Sequence, residues 1–439
     1  MEYVMVISLG CPKNTVDSEI LSKAVENAGY TLTNDEKKAD IAIVNTCAFI
    51  EPAVEEAIEV ILATAALKTG ASLKKLIVAG CLTERYREKI LEEIPEVDLC
   101  IGIDAISNIG DLIKNGEKAV YSGKREDIAF LNLPRNLSET NGSAYLKISD
   151  GCDNACTYCM IPSIRGRLRS RSIEDITAEA KGLCGEKKVK EIILVAQDTT
   201  AYGTDIYGGP SLVLLLRALV KVEGLKWIRL LYCYPELITD ELLDLIKAED
   251  KILNYLDIPF QHASDRILRL MGRKDTLSDY TKLLARIRDR ISGIVIRTTF
   301  ITGFPGESEY DFRILESFVR ENCFDRVGVF TYYDEDGAPS YKLKGKVEPS
   351  VSKARRDRLM EIQKDISRDL NMRRVGQIYD IIIGNVSDDG IFYEGRSYGE
   401  APEIDGLVYV AAKEPLTPGS IARVRILDAN DYDLTGETI

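Results

Sequence analysis

Three cysteines, Cys152, Cys156 and Cys159, lie in the run DGCDNACTYCMIPSIRGRLRSR, residues 150–171. Thiolates spaced C-x3-C-x2-C can wrap one cubane iron–sulfur cluster and hold three of its irons. The fourth iron then keeps an open position, as catalytic metal sites do, and can bind a substrate or cofactor. A zinc knuckle is the competing use of such a loop, but it needs a fourth ligand. No histidine stands nearby, and the next cysteine is Cys184.

A second set is spread more widely. Cys11 follows VISLG, Cys47 follows IAIVNT and Cys81 follows LIVAG, each just past the end of an apolar run. In an open parallel α/β sheet the C-terminal ends of the strands line the crevice where ligands bind. Three thiols so placed can converge on a second cluster although they stand 36 and 34 residues apart. Unrelated core cysteines would fall inside strands instead, as Cys100 does in VDLCIGI. Cys100, Cys184, Cys233 and Cys323 form no such group and read as packing residues.

The elements that must position these thiols are legible as alternating apolar runs and helical segments. At 439 residues the chain exceeds one core and is expected to form two or three domains. Strands are expected at Tyr3–Leu9, Ile41–Asn45, Leu76–Ala79 and Val97–Ile103, with helices at Ser18–Ala28 and Pro52–Leu67. This β-α alternation predicts an N-terminal domain, residues 1–135, with a parallel sheet covered by helices. A polar stretch, Leu131 to Gly142, reads as a linker. Six further strands follow, at Ala144–Ser149, Glu191–Gln197, Trp227–Cys233, Tyr255–Pro259, Ile294–Phe300 and Val327–Tyr332. They predict a complete or partial (β/α)6 barrel over residues 140–370, with its chemistry at the C-terminal strand ends. Residues 351–372 carry one helical stripe, Leu359, Ile362, Ile366 and Leu370. The last segment, 371–439, has short strands and Gly/Pro turns, as in a small antiparallel β-barrel.

Composition narrows the function. The formal charge is −13, a poor footprint for a protein that grips a phosphate backbone. One histidine in the whole chain argues against imidazole-built zinc sites and histidine-dependent triads. The N-terminus has no secretory pattern and no apolar stretch approaches a membrane span, so a cytoplasmic location is expected. Ten cysteines in a reducing compartment point to metal binding or catalysis rather than disulfides.

The Cys152/Cys156/Cys159 loop after the first strand of a β/α barrel, with Tyr158 inside it, resembles the radical S-adenosylmethionine (SAM) superfamily. SLGCPKNTVDSE, VNTCAFIEPAVEEAIEVI, VAGCLTERY, AQDTTAYG, YLDIPFQHAS and TTFITGFPGES extend the resemblance to the methylthiotransferase family across essentially the whole chain. The resemblance implies an N-terminal domain holding an auxiliary 4Fe–4S cluster on Cys11, Cys47 and Cys81, a radical-SAM domain and a C-terminal TRAM barrel. It further implies two 4Fe–4S clusters and two SAM molecules, one donating a methyl to sulfur and one cleaved to a hydrogen-abstracting radical. An electron donor such as a flavodoxin or ferredoxin is implied as a partner. Within the family, GCPKN, TCAFIEPA and AQDTTAYG resemble the members that methylthiolate the β-carbon of an aspartate in ribosomal protein S-twelve. Members that modify tRNA adenosine are the alternative; a non-catalytic iron–sulfur RNA-binding module is a second. The segment 371–439 holds six Lys/Arg against twelve Asp/Glu, which suits a basic protein substrate better than tRNA.

The same resemblance supplies candidate SAM contacts: Tyr158, Gln197 and Asp198 after the second barrel strand, and Gly303, Gly306 and Glu307 in GFPGE after the fifth. Glycines there let backbone approach a ligand closely. Where many radical-SAM enzymes carry a Gly-Gly-Glu run, this chain has Ala196-Gln197-Asp198. Arg165, Arg167, Arg169 and Arg171 read either as a solvated run or as binders of a SAM or substrate carboxylate. His262, after the fourth strand, reads as a buried structural residue or as a site residue.

Overall fold

The structure, a computed structural model, describes residues 2–70, 72–123, 128–137 and 141–439. Residues 138–140 of the expected linker lie outside the described residues. The N-terminal sheet has six strands: β1 (Tyr3–Ser8), β2 (Thr31–Leu32), β3 (Ile41–Thr46), β4 (Lys75–Gly80), β5 (Leu99–Ile101) and β6 (Val120–Tyr121). All pairs are parallel, in the order β2-β1-β3-β4-β5-β6. Every residue of β3 is buried, as a central strand covered on both faces requires. The expected strand Val97–Ile103 is cut to three residues, because the chain turns at Gly102 into a 3-10 helix, Ile103–Asn108. Helix α1 (Pro12–Asn27) starts six residues before the expected Ser18. Pro12 occupies its first turn, where the ring presets φ and the missing N–H costs nothing. Helices α2 (Glu51–Gly70) and α3 (Cys81–Tyr86) follow β3 and β4.

The central domain is an open parallel sheet of β7 (Ser143–Lys147), β10 (Glu191–Val195), β11 (Trp227–Leu230), β12 (Ile252–Asp257), β13 (Val295–Thr302) and β14 (Arg326–Thr331). Their order, β14-β13-β12-β11-β10-β7, is that of a partial barrel. A short antiparallel pair, β8 (Ser149–Asp150) with β9 (Arg169–Ser170), ties the two ends of the cysteine loop together. Two of the outer helices, Leu277–Arg290 and Glu309–Asn322, open on capping boxes, Thr276 with Asp279 and Ser308 with Asp311. The long helix Pro349–Met372 buries Leu359 and Ile362 as expected, but then Gln363, Ser367 and Asn371 rather than Ile366 and Leu370. Gln363 donates to the Phe324 carbonyl and Asn371 to that of Asn430, so polar partners set this seam.

The last five strands close a barrel: β15 (Ile378–Val386), β16 (Tyr393–Arg396), β17 (Val408–Ala411), β18 (Ile421–Ala429) and β19 (Leu434–Thr438). It is antiparallel except where β17 meets β19 in parallel. Its core is Ile381, Ile383, Val408, Val410, Val424, Ile426 and Leu434.

This barrel is seated against the N-terminal ends of the central strands through the segment between β16 and β17. Arg229 donates to the carbonyls of Tyr398 (2.7 Å) and Ser397 (3.2 Å) and to Glu191 (2.7 Å). Tyr255 donates to Asp405 at 2.7 Å, while Glu400 receives Arg326 at 3.2 Å and Arg374 at 2.5 Å. Burial opposes charge on Glu400, yet the two guanidiniums hold its carboxyl down to about 2. Part of the acidity of the C-terminal segment is therefore consumed inside the molecule.

Candidate cluster sites at the domain interface

Cys11 is the extended N-cap of α1, Cys47 follows β3, and Cys81 opens α3 after β4. Gly10 adopts φ +91°, and a Cβ there would stand 2.5 Å from the Cys47 Cβ and 3.1 Å from its Sγ. Only glycine lets the first loop lie on Cys47 this closely. Asn14 fastens the three loops together: its amide donates to the carbonyls of Leu9 (3.0 Å) and Thr46 (2.8 Å), and its Oδ1 lies 3.7 Å from Cys81 Sγ. The three thiols feel one another. Burial pushes the Cys81 thiol up to about 12, and negative charge on Cys47 and Cys11 adds to the rise. Cys11 goes the other way: burial raises it, but the charges of Lys13 and Arg165 and two backbone N–H groups bring it below its ordinary value.

The Cys152/Cys156/Cys159 loop hangs from the C-terminal end of β7 and is clamped on the turn after the helix Asp265–Leu270. Thr157 donates to the carbonyls of Met271 (2.9 Å) and Leu270 (2.8 Å). The backbone N–H groups of Asn154 and Ile161 point at the sulfurs of Cys152 and Cys159, each at 3.4 Å. Arg273, buried and stacked 4.1 Å over the Tyr234 ring, reaches Cys156 Sγ at 3.9 Å. Burial pushes the Cys152 thiol up to about 11 and Cys159 up to about 12, and the N–H donors aimed at their sulfurs oppose that rise by favouring thiolate, the form that binds iron. Among the described residues no three Cys, His, Asp or Glu side chains converge on one ion. In a cubane each thiolate takes its own iron, so its ligands stand apart and the donor chemistry of both sets fits such clusters.

Between the two cysteine sets lies a buried ionic junction. Lys147 reaches Asp17 (2.7 Å) and Asp150 (3.3 Å), and Arg165 reaches the same two carboxylates at 3.0 and 3.1 Å. Arg165 also donates to Asn14 Oδ1 (2.6 Å) and to Cys81 Sγ (3.3 Å). It is thus neither solvated nor facing an outside carboxylate; it bolts the central domain onto the N-terminal one. Arg171 is likewise buried, on Glu179 and the Lys147 carbonyl, and Arg169 reaches Asp104 at 3.2 Å. Of the four arginines, Arg167 alone is exposed. Lys13, two residues from Cys11, projects across the interface until its Nζ is 3.5 Å from the centre of the Tyr232 ring, just past β11. Its charge reaches both Cys11 and Cys159.

The candidate SAM residues fall on the same edge of the central sheet. Tyr158 packs against Ile267, Met271 and Phe304. Gln197 donates to Asp150 at 2.8 Å, and its buried Oε1 has no partner among the described residues. Asp198 accepts from Asn154 (2.7 Å), Thr200 (2.6 Å) and the Ala201 N–H (3.1 Å), so it braces the cysteine loop. Glu307 turns back into its own loop, accepting from the N–H groups of Gly303 and Phe304 and from Arg355 at 3.1 Å. It holds the GFPG turn in shape, with Gly303 at φ +79° and Gly306 at φ +86°. His262 is fully buried; its Nδ1 accepts from the Ser264 N–H at 2.9 Å and its Nε2 is unpartnered among the described residues. Burial pushes this imidazole down to about 3, so it is neutral and keeps the loop after β12 in place.

Cys100, Cys184 and Cys233 are buried as expected, but Cys323 is exposed. It ends the helix Glu309–Asn322 in a left-handed turn at φ +43°, where its side chain has no core to enter. Asn14, Asp17 and Asp150 lie inside the cysteine motifs and Lys147 inside an expected strand, but nothing in the sequence showed that they meet. Their partners are distant in the chain, and ion pairing at long range leaves no periodic trace.

Comparison with known proteins matches residues 3–102 to the uncharacterized protein family UPF0004, 146–319 to the Radical SAM superfamily and 375–439 to the TRAM domain. The chain is 49% identical to the ribosomal protein uS12 methylthiotransferase RimO of Acetivibrio thermocellus, over 99% of this chain and 98% of that one. It is 48% identical to the RimO of Caldanaerobacter subterraneus subsp. tengcongensis, over 100% of both. Among solved structures, the radical SAM methyltransferase TsrM of Kitasatospora setae superposes with a TM-score of 0.58 at 14% identity, over 87% of this chain and 77% of that one. That likeness concerns the fold. Similar at this level from end to end, the chain belongs to the ribosomal protein uS12 methylthiotransferase RimO family of radical SAM enzymes.

Proposed function

We propose that this methylthiotransferase acts on ribosomal protein uS12, inserting a methylthio group at the β-carbon of an aspartate. In this reading Cys152, Cys156 and Cys159 hold a 4Fe–4S cluster with an open iron for SAM, and Cys11, Cys47 and Cys81 hold a second. Bound there, cluster and SAM together supply the hydrogen-abstracting radical that an unactivated C–H bond requires. The chain's own residues position and enclose. Gln197 Oε1 would accept from the SAM ammonium, Tyr158 and the GFPG turn at Gly303 and Gly306 would lie along the bound cofactor, and Glu307 keeps that turn in register. Asp198 holds the cysteine loop through Asn154.

The observation that supports the reading best is the placement of the two thiol sets. Both lie at C-terminal strand edges, on opposite sides of the junction made by Asp17, Lys147, Asp150 and Arg165. Two sites facing each other this way let a sulfur-bearing centre meet a radical-generating one with no large domain movement. The names of the relatives and the acidity of the C-terminal segment favour a basic protein substrate, and with it a cytoplasmic enzyme served by a flavodoxin-like or ferredoxin-like donor. Anaerobic reconstitution tests the proposal. About eight irons per chain, four for each cluster, are expected, with transfer of methylthio to uS12 and not to tRNA. Iron near four, zinc in its place, or modification of tRNA alone would overturn it.

A further inference from the structure

We infer that Lys13 is the residue that receives the side-chain carboxylate of the substrate, an inference that rests on the uS12 aspartate reading above. Lys13 is 8% exposed, and no carboxylate among the described residues pairs with it. The junction carboxylates Asp17 and Asp150 are already shared by Lys147 and Arg165, and Asp257, which accepts from the Tyr232 N–H, is paired with Arg297. Lys13 is therefore a cation with no carboxylate partner among the described residues, at the boundary between the N-terminal and central domains; what its charge meets is the Cys11 sulfur and the Tyr232 ring. A buried ammonium so placed is costly, and a neighbouring ring replaces lost hydration only in part.

The ring beneath it is held under strain. Tyr232 adopts φ +60°, a left-handed conformation rare for a bulky residue and concentrated at functional sites. Its N–H donates to Asp257 at 3.0 Å and its carbonyl accepts from Thr199 at 3.0 Å, which lock it in that turn. The chain thus maintains an unfavourable backbone at the residue whose aromatic face lies under the Lys13 ammonium. An aspartate side chain entering here would place its carboxylate on Lys13, and its β-carbon, one bond away, between the two cysteine sets. Lysine is well suited to such a grip, because a compact point charge holds one carboxylate without demanding the planar fork that arginine imposes. No bond forms or breaks in the step; Lys13 selects and anchors.

The test compares uS12 carrying aspartate or asparagine at the modified position, bound anaerobically to the reconstituted enzyme and followed by fluorescence anisotropy. Wild type is expected to favour the aspartate form by about tenfold or more, the usual weight of a charge-assisted hydrogen bond. Lys13→Met is expected to bring the two forms within twofold, and Lys13→Arg to keep most of the preference. Retention of the preference in Lys13→Met overturns the inference. So does equal binding of both forms by wild type, a measurement that needs no variant. Binding of neither form by wild type overturns the uS12 reading itself, and the two failures are told apart by that control.

Discussion

Replacing Arg165 by Met probes the junction between the N-terminal and central domains. Two cations, Lys147 and Arg165, serve two carboxylates, Asp17 and Asp150, whose side chains are 2% and 0% exposed. Removing the guanidinium leaves Lys147 to serve both. Losing one partner of a buried pair costs about 3–5 kcal/mol, against a total of about 5–15 kcal/mol for a domain. The loss is not shared equally. Asp150 keeps Gln197 at 2.8 Å and Arg169 at 3.7 Å, whereas among the described residues Asp17 keeps Lys147 alone. Asp17→Asn in the Arg165→Met background should therefore restore about 1–3 kcal/mol, and Asp150→Asn distinctly less. The measurement is urea unfolding of the iron-free chain under reducing conditions, read from Trp227, its one tryptophan, as a midpoint shift at unchanged slope. A single-variant cost below about 1 kcal/mol, or better rescue by Asp150→Asn than by Asp17→Asn, would refute the reasoning.

Three further outcomes are expected. Changing Cys11, Cys47 and Cys81 together to Ala should lower iron from about eight to about four per chain and abolish methylthio transfer while reductive SAM cleavage continues; loss of cleavage in a folded variant would contradict separate roles for the two sites. Glu400→Ala leaves Arg326 and Arg374 without their carboxylate, so trypsin should cut after Arg373 or Arg374 and release the C-terminal barrel, and resistance equal to wild type would count against the docking described. For His262 the folded value of about 3 lies below the ordinary 6.5, so the unfolded chain takes up the proton first. Its contribution to stability is full above pH 6.5 and declines by about 1.4 kcal/mol per pH unit as pH falls toward the folded value. His262→Phe should remove that slope between pH 4 and 6, as seen in urea titrations, and an unchanged slope would disprove it.

The longer strands of both sheets could be read from sequence because each is a run of apolar residues bounded by glycine or polar turns, whereas the two-residue edge strands β2 and β6 are too short to leave such a run. The positions of the six cysteines followed from the same runs. What could not be read was everything held by charge at long range. The alternation Arg165, Arg167, Arg169, Arg171 looks like a solvated strip, yet three of the four turn inward onto partners up to 151 residues away. The early start of α1 was hidden because Gly-Cys-Pro also spells a turn; only the stacking of Gly10 on Cys47 decides between the two. Lys13 stood out in the sequence only as part of the GCPKN motif, which carried a resemblance but no role. Its character comes from the absence of a nearby acid among the described residues, which is a property of the folded neighbourhood.

The segment between β16 and β17 makes the C-terminal barrel a fitted stopper rather than an interchangeable cassette. Glu191, Arg229, Arg297 and Arg326 belong to the central domain, yet each also takes a partner from residues 396–405. A chimera that exchanges the barrel must bring matching residues for those four positions or leave Arg326 without its carboxylate and the other three with their central-domain partners alone. Substrate range in such enzymes is therefore not portable by domain grafting alone, and barrel and central domain are expected to change together or not at all.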